Sequence, residues 1–256
     1  MSDSDLEIIK LVVSILGFSG TIAALLFALR QYKRSEQWKR SEFVAREIKE
    51  FESNPTIRNA LLMIDWGERR INLFLVEKPT EADQVKITRE TLWRALLPHT
   101  IKSDYPSLST DASVEMSNQS GAKTKFTPVE AKIRDTFDIF LDHLERFANF
   151  IKSGLVEAEE FRPYLIYWVK TIASANIEEY KGDAEWRCTL LTYINVYGYK
   201  ETIKLFSEYG KDIKPTSELY KHLGELIQEE KLFEKLLDCA NTTELAKSGF
   251  VKVEVS

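Results

Sequence analysis

Apolar residues are most concentrated near the beginning of the chain. An uncharged, mostly apolar run extends from Leu11 to Leu29, between Lys10 and Arg30. A helix of this length matches the hydrocarbon core of a bilayer. The pattern therefore predicts a transmembrane helix over residues 10–30, after a short extracytoplasmic tail over residues 1–9.

The charges on the two sides of this run differ in sign. Acidic residues precede it, namely Asp3, Asp5 and Glu7, and basic residues follow it, namely Arg30, Lys33, Arg34, Lys39 and Arg40. A signal peptide carries its positive charge first, so this order favours an anchor; a signal peptide and a buried core helix are the alternatives. Because basic residues are retained in the cytoplasm, we expect a single-pass protein of the cell inner membrane with its N-terminus outside and its C-terminal domain in the cytoplasm.

Small and amphipathic residues predict two kinds of membrane contact. Gly17, Gly20 and Ala24 lie near one face of the predicted helix, a spacing that lets helix backbones approach closely in lipid and favours a homo-oligomer. Such residues are also common in membrane helices in general. Tyr32 and Trp38 stand among the basic residues, where aromatic rings anchor a helix at the lipid surface. The lipid bilayer is the first expected partner.

Helical periodicity continues beyond this segment. Residues 31–54 are predicted to form a stalk helix that ends at Asn54-Pro55, and helices over Thr56–Val76 and Thr88–Leu97 follow. Residues 102–126 are rich in Ser, Thr, Asp, Asn and Gly, which is typical of a flexible loop. We therefore expect an all-α cytosolic domain, a multi-helix bundle over residues 55–240, followed by a C-terminal tail over residues 241–256.

The best-defined helix begins at Thr127-Pro128-Val129-Glu130. A Thr cap, a Pro in the first helical position and a Glu three residues after the cap form a capping box, and Gly154 supplies the stop. Another face of this helix carries Asp135, Asp138, Asp142 and Glu145, with His143 beside them. Carboxylates can bind a metal, but a solvated helix face is more common, so we expect no metal and no cofactor.

The second half of the domain is rich in aromatic residues. Phe161–Ile172 is apolar almost all round and is predicted to be the central core helix. Helices over Ala184–Tyr197 and Tyr199–Tyr209, separated or kinked at Gly198, and over Thr216–Leu237 follow. The aromatic rings favour core packing, and a ligand pocket is the alternative. The candidate lining residues are Tyr164, Trp168, Trp186, Tyr193 and Tyr197.

Composition narrows the expected function only a little. The net charge of −5 is unlike that of a general nucleic-acid binder, so nucleic acid is not an expected partner. Cys188 and Cys239 lie far apart and have no neighbours at metal-ligand spacing, as expected for reduced cytosolic thiols. The sequence contains no phosphate loop, nucleophile elbow or dinucleotide motif.

One short motif suggests an enzyme. Arg94-Ala95-Leu96-Leu97-Pro98-His99 resembles the arginine–histidine motif of HEPN ribonucleases, helical proteins that dimerise around an RNA phosphodiester. The resemblance implies that Arg94 stabilises the phosphate and that His99 transfers protons. Ala95 and Pro98 depart from the usual pattern. A membrane-tethered ribonuclease is therefore the alternative function.

A wider resemblance concerns architecture. The chain looks similar to bacterial single-pass membrane proteins of unassigned function. The segments that carry this resemblance are the anchor, Met63–Trp66 and Ile133–Ala173. The resemblance implies no catalytic residues. By analogy with proteins built in this way, we expect an oligomeric, non-enzymatic sensor or effector, for example in anti-phage defence. Its helical domain would couple a ligand or a cytosolic protein partner to the membrane.

Overall fold

The computed structural model describes residues 3–99, 126–173, 184–211 and 213. Two compact units are present, Met1–Glu47 and Ile48–Ser256. Helix α1 (Asp3–Ser53) runs through the first unit and ends in the second. The predicted helix over Thr216–Leu237, the tail over residues 241–256 and the loop over residues 102–125 lie outside the described residues.

Helix α1 covers both the predicted anchor and the predicted stalk. No helix within the described residues is long and apolar enough to cross a membrane. The predicted transmembrane helix is thus not supported by this part of the chain. The side chains of residues 11–13 and 15, which belong to the apolar run, lie outside the description.

The second unit contains a small sheet that the hydrophobic pattern did not predict. Helix α2 (Pro55–Asp65) is followed by strands β1 (Glu68–Ile71) and β2 (Val85–Thr88), which pair antiparallel, with a 3-10 turn at Glu81–Asp83 before β2. The predicted helix over Thr56–Val76 is therefore wrong beyond Asp65. Trp66 has an extended backbone and Gly67 follows it, so the helix cannot continue.

The other helices agree better with the sequence. They are α3 (Arg89–Leu96), α4 (Pro128–Lys152), α5 (Ala158–Ala173), α6 (Ala184–Val196) and α7 (Lys200–Glu208). The predicted capping box of α4 is confirmed, because Glu130 N donates to Thr127 Oγ1 at 3.1 Å and Thr127 N donates to Glu130 Oε2 at 2.8 Å. The predicted break at Gly198 is also confirmed, since its φ of 77° lies in the left-handed region. The described part of the chain is thus mostly helical, as predicted.

Helix α4 lies at the centre of the core of the second unit. It packs against α2, α3 and α7. The Phe51 ring at the end of α1 lies 6.1 Å from that of Phe140 and 5.4 Å from that of Phe147, measured between centroids. Phe147 in turn stacks on Phe161 of α5 at 4.7 Å. These rings supply much of the buried apolar surface that holds the helices together.

Helix α5 contributes only one face to this core. Its buried apolar residues are spaced by three or four positions, whereas Tyr164 and Tyr167 are 45% and 53% exposed. The prediction that this segment is the central core helix is therefore wrong, because α5 buries one face and α4 occupies the centre. A tyrosine ring can cover apolar surface while its hydroxyl stays in water, so a run rich in tyrosine overstates burial.

Candidate functional site

Arg134 of α4 is a buried arginine that joins several elements. Its Nη1 donates hydrogen bonds to the carbonyl oxygens of Ala95 and Leu97, both at 2.8 Å. Its Nη2 donates to the Tyr197 hydroxyl at 2.7 Å and to His99 Nδ1 at 3.1 Å. The last carbonyl groups of a helix lack partners within it, so the guanidinium stabilises the end of α3 and fixes it to α4 and to the residue after α6.

His99 follows α3 and is held in one orientation. The Tyr197 hydroxyl lies 2.6 Å from its Nδ1, and the backbone N–H of His99 donates to that hydroxyl oxygen at 3.1 Å. A guanidinium can only donate, so Nδ1 is the acceptor in the contact with Arg134. The Phe126 ring lies edge-on to it, with 4.9 Å between the centroids.

A second polar group lies one turn further along α4. Asp138 Oδ1 accepts hydrogen bonds from the hydroxyls of Tyr193 at 2.5 Å and Tyr199 at 2.8 Å. Burial, reinforced by these bonds to the carboxylate, raises the pKa of both tyrosines well above the ordinary value. Both hydroxyls therefore stay protonated at neutral pH and continue to donate to Asp138.

These groups border an open cleft of about 530 Å³. Its lining residues are His99, Phe126, Ala131, Arg134, Asp135, Asp138, Asp142, Tyr193, Tyr197 and Tyr199. Three carboxylates outnumber one guanidinium in this lining, so the cleft has a negative potential. Glu145, the fourth residue of the predicted acidic face, instead accepts a hydrogen bond from Thr202 N at 2.6 Å at the beginning of α7. Within the described residues, no group of three or more His, Cys, Asp or Glu side chains is placed to hold a metal ion.

The structure separates the predicted pocket residues. Tyr193 and Tyr197 line the cleft. Trp186 is fully buried in α6, whereas Tyr164 and Trp168 belong to α5 and do not line it. The five aromatic residues therefore do not line one common pocket.

Arg94 and His99 of the ribonuclease-like motif have different partners. Arg94 Nη2 pairs with Glu90 Oε1 at 2.8 Å, and its guanidinium lies 5.4 Å from the ring centroid of Trp93. The arginine that donates to His99 is Arg134. Sequence reasoning missed Arg134, although one signal was present: this charged residue occupies a position within the apolar stripe of α4.

The residues predicted to contact the membrane lie on α1. Apart from the backbone of α1 itself and the adjacent residues, no heavy atom of the described residues lies within 4 Å of the position that a Cβ would take at Gly17 or Gly20. The exposed residues on this helix include Ala24, Arg30, Tyr32, Lys33, Arg34, Trp38 and Lys39, and Arg40 is partly exposed. Lys39 pairs with Glu36 at 3.2 Å. These surfaces are thus open to a partner or to lipid.

Comparison of the chain with protein-family models, with curated proteins and with solved structures finds no match. Its function therefore has to be inferred from the exposed surface of α1 and from the cleft.

Proposed function

We propose that this chain is a membrane-anchored, oligomeric sensor or effector whose helical domain couples a ligand or a cytosolic protein partner to the bilayer. One observation carries the proposal, namely the exposed apolar surface of α1. Leu16, Phe18, Leu25 and Phe27 are 65%, 71%, 60% and 70% exposed. Soluble monomers rarely leave a contiguous apolar surface of this kind uncovered.

The distribution of these side chains around α1 favours lipid as the covering. A helix turns by about 100° per residue, so Leu16 and Phe27 lie on one side and Phe18 and Leu25 on the opposite side. A partner helix or a groove covers one face of a helix, whereas lipid surrounds it. The apolar run in the sequence also begins before Leu16, at Leu11.

The basic residues after the apolar run support the proposed orientation. Arg30, Lys33 and Arg34 are exposed on α1, where they would meet anionic headgroups on the cytoplasmic side. In anti-phage defence, which the architectural analogy suggests, assembly of several α1 helices would perturb the bilayer.

Alkaline carbonate extraction of cell membranes that contain the full-length chain tests the anchor. We expect the chain to stay with the membrane pellet. Phe18→Lys combined with Ile22→Lys should release it, because each charge near the centre of a span costs about 3 kcal/mol. The matched control, Gln31→Lys with Gln37→Lys, adds the same charge beyond the run and should leave the chain in the pellet. Release of the unmodified chain would overturn the proposal.

A membrane-tethered ribonuclease of the HEPN type, which uses Arg94 and His99, is the second candidate. The guanidinium 3.1 Å from His99 belongs to Arg134 and not to Arg94, and it favours this candidate only because a cation next to a histidine can stabilise a phosphate. The carboxylates of the cleft would repel a phosphate, and for this reason we rank the ribonuclease second. Cleavage of RNA that is lost in His99→Ala and in Arg94→Ala, but kept in the exposed control Arg58→Ala, would reverse this order. No cleavage by the unmodified chain would exclude the ribonuclease.

A further inference from the structure

Three side chains meet at the end of α3 in a closed set of hydrogen bonds. The Tyr197 hydroxyl oxygen accepts from Arg134 Nη2 at 2.7 Å and from the backbone N–H of His99 at 3.1 Å. A hydroxyl oxygen has two acceptor sites and one proton. Because both sites are occupied, the hydroxyl donates its proton to His99 Nδ1, which lies 2.6 Å away. Nδ1 therefore faces two donors, this hydroxyl and Arg134.

This arrangement has no place for a proton on Nδ1 of His99. A protonated Nδ1 is itself a donor, and the Tyr197 oxygen cannot accept from it, because the two acceptor sites of that oxygen are already used. The positive charge of the ring would also lie 3.1 Å from Nη2 of Arg134, where two cations repel each other. A proton can therefore bind at Nδ1 only after the imidazole has left Arg134 and Tyr197.

The other charged groups around His99 favour the released, protonated ring. The carboxylates of α4 that line the cleft attract an imidazolium, and they are Asp135, Asp138 and Asp142. On the opposite wall, Tyr193 and Tyr199 stay neutral, because burial raises the pKa of both hydroxyls. On α3, Arg94 is paired with Glu90. Arg134 thus opposes protonation in the closed arrangement, whereas the carboxylates stabilise the proton once the ring has turned away.

We propose that His99 is an acid-sensitive latch: uptake of a proton at Nδ1 releases the end of α3 from Arg134 and Tyr197 and opens this edge of the cleft. A histidine ordinarily titrates near pH 6.5. The open state binds a proton that the closed state excludes, so opening is unaffected above about pH 6.5 and is favoured by up to about tenfold for each pH unit below it. The latch lies in the second unit and does not rest on the proposed membrane function.

Hydrogen–deuterium exchange of the full-length chain in a non-ionic detergent, followed by mass spectrometry, tests the latch. The reporter is the peptide that contains the last turn of α3 and His99. Its exchange rates are divided by the intrinsic rates of an unstructured peptide at each pH, which gives the protection. We expect this protection to fall by about tenfold between pH 7.5 and pH 5.5.

His99→Asn is the variant that should abolish the response. The asparagine Oδ1 can replace Nδ1 as an acceptor but binds no proton in this pH range, so protection should stay the same at both pH values. His99 is exposed, so the variant should fold normally, which circular dichroism checks.

His143→Asn is the matched control. His143 Nδ1 lies 2.9 Å from the carbonyl oxygen of Ile139. A carbonyl only accepts, so Nδ1 donates there and keeps this bond when the ring is protonated. The His143→Asn variant should therefore retain the response of the unmodified chain.

Three results would overturn the inference. They are constant protection of the unmodified chain between pH 7.5 and pH 5.5, an equal fall in His99→Asn, which would assign the response to other groups, and loss of the response in His143→Asn. Exchange in detergent does not depend on a bilayer, so none of these results affects the carbonate extraction. Conversely, release of the chain by carbonate with the pH response intact would overturn the anchor alone.

Discussion

At Arg134, a full positive charge is buried among neutral acceptors: two carbonyl oxygens, a hydroxyl and an imidazole nitrogen. The planar fork of an arginine can reach these separate acceptors at once. The two carbonyls belong to the C-terminal end of α3, where the helix dipole is negative. This arrangement makes the side chain both a helix cap and a connection between elements.

Replacing Arg134 with lysine should lower the free energy of unfolding by about 3 kcal/mol, because one ammonium group cannot reach all four acceptors and some would stay buried and unpaired. Denaturant unfolding of the full-length chain in detergent, followed by circular dichroism, measures the loss. Arg162→Lys is the control, since Arg162 pairs with Glu159 in an exposed position and its replacement should cost about 0.5 kcal/mol or less. Similar losses in the two variants would contradict the assigned role of Arg134.

The buried tyrosines predict a loss of stability in alkali. Burial raises the pKa of Tyr193 and Tyr199, so the folded chain keeps protons that the unfolded chain loses above about pH 10. The contribution of these two tyrosines to the free energy of unfolding is complete below that pH and is lost as the pH rises further. Tyr193→Phe should reduce the alkaline slope of the free energy of unfolding by up to about 1.4 kcal/mol per pH unit.

Unfolding measured between pH 8 and pH 11 checks this slope. Trp168→Phe changes an aromatic ring but removes no ionisable group, and it should keep the slope of the unmodified chain. If the free energy of unfolding of Tyr193→Phe fell as steeply with pH as that of the unmodified chain, this hydroxyl would not control the alkaline transition.

The turn between α6 and α7 positions one wall of the cleft. Gly198 has a φ of 77°, and its neighbours Tyr197 and Tyr199 both line the cleft. Gly198→Ala should cost about 1 kcal/mol of unfolding free energy, because an alanine is strained in the left-handed region.

Gly210 provides a matched comparison for this turn. Its φ is 72°, and it does not line the cleft, so its strain is measured apart from the cleft. Gly210→Ala should therefore cost a similar free energy of unfolding, about 1 kcal/mol. No loss of unfolding free energy in Gly198→Ala, measured by denaturant unfolding beside Gly210→Ala, would contradict the strain assigned to the turn between α6 and α7.

The elements that the sequence predicted correctly carry local signals. The capping box at Thr127 and Glu130 fixes the beginning of α4 through contacts three residues apart, and Gly198 fixes the break between α6 and α7. Both signals depend on neighbours in the sequence, so a single chain reveals them.

The features that the sequence did not reveal depend on distant contacts. Strand β1 has one buried residue in four and shows no alternation, and strand β2 alternates apolar and polar residues over four positions only, which is too short a signal without its partner strand. The acidic face of α4 was recognised, but its combination with Tyr199 and His99 arises only when α6, α7 and the end of α3 pack beside it. The cleft is therefore a product of tertiary structure and not of a motif.

At the scale of the whole molecule, the proposed function assigns separate tasks to the two units. The apolar surface of α1 belongs to Met1–Glu47, and the cleft belongs to Ile48–Ser256. Helix α1 continues from the first unit to Ser53, so under the proposed function this helix would connect the bilayer to the helical domain. Assembly through α1 would make the response cooperative among copies of the chain.

Assembly through α1 predicts a defined homo-oligomer. Gly20 and Ala24 lie four residues apart, and among the described residues beyond the backbone of α1 a Cβ at Gly20 would meet nothing within 4 Å, so a partner backbone can approach there. The mass of the full-length chain in detergent should correspond to several copies. Gly20→Leu should shift the mass toward that of the monomer, because the added side chain would separate the helices.

Leu26→Phe enlarges the opposite side of α1 and should leave the mass unchanged. A monomer of the unmodified chain would contradict the proposed self-association, and an oligomer that persists in Gly20→Leu would place the contact outside this face of α1.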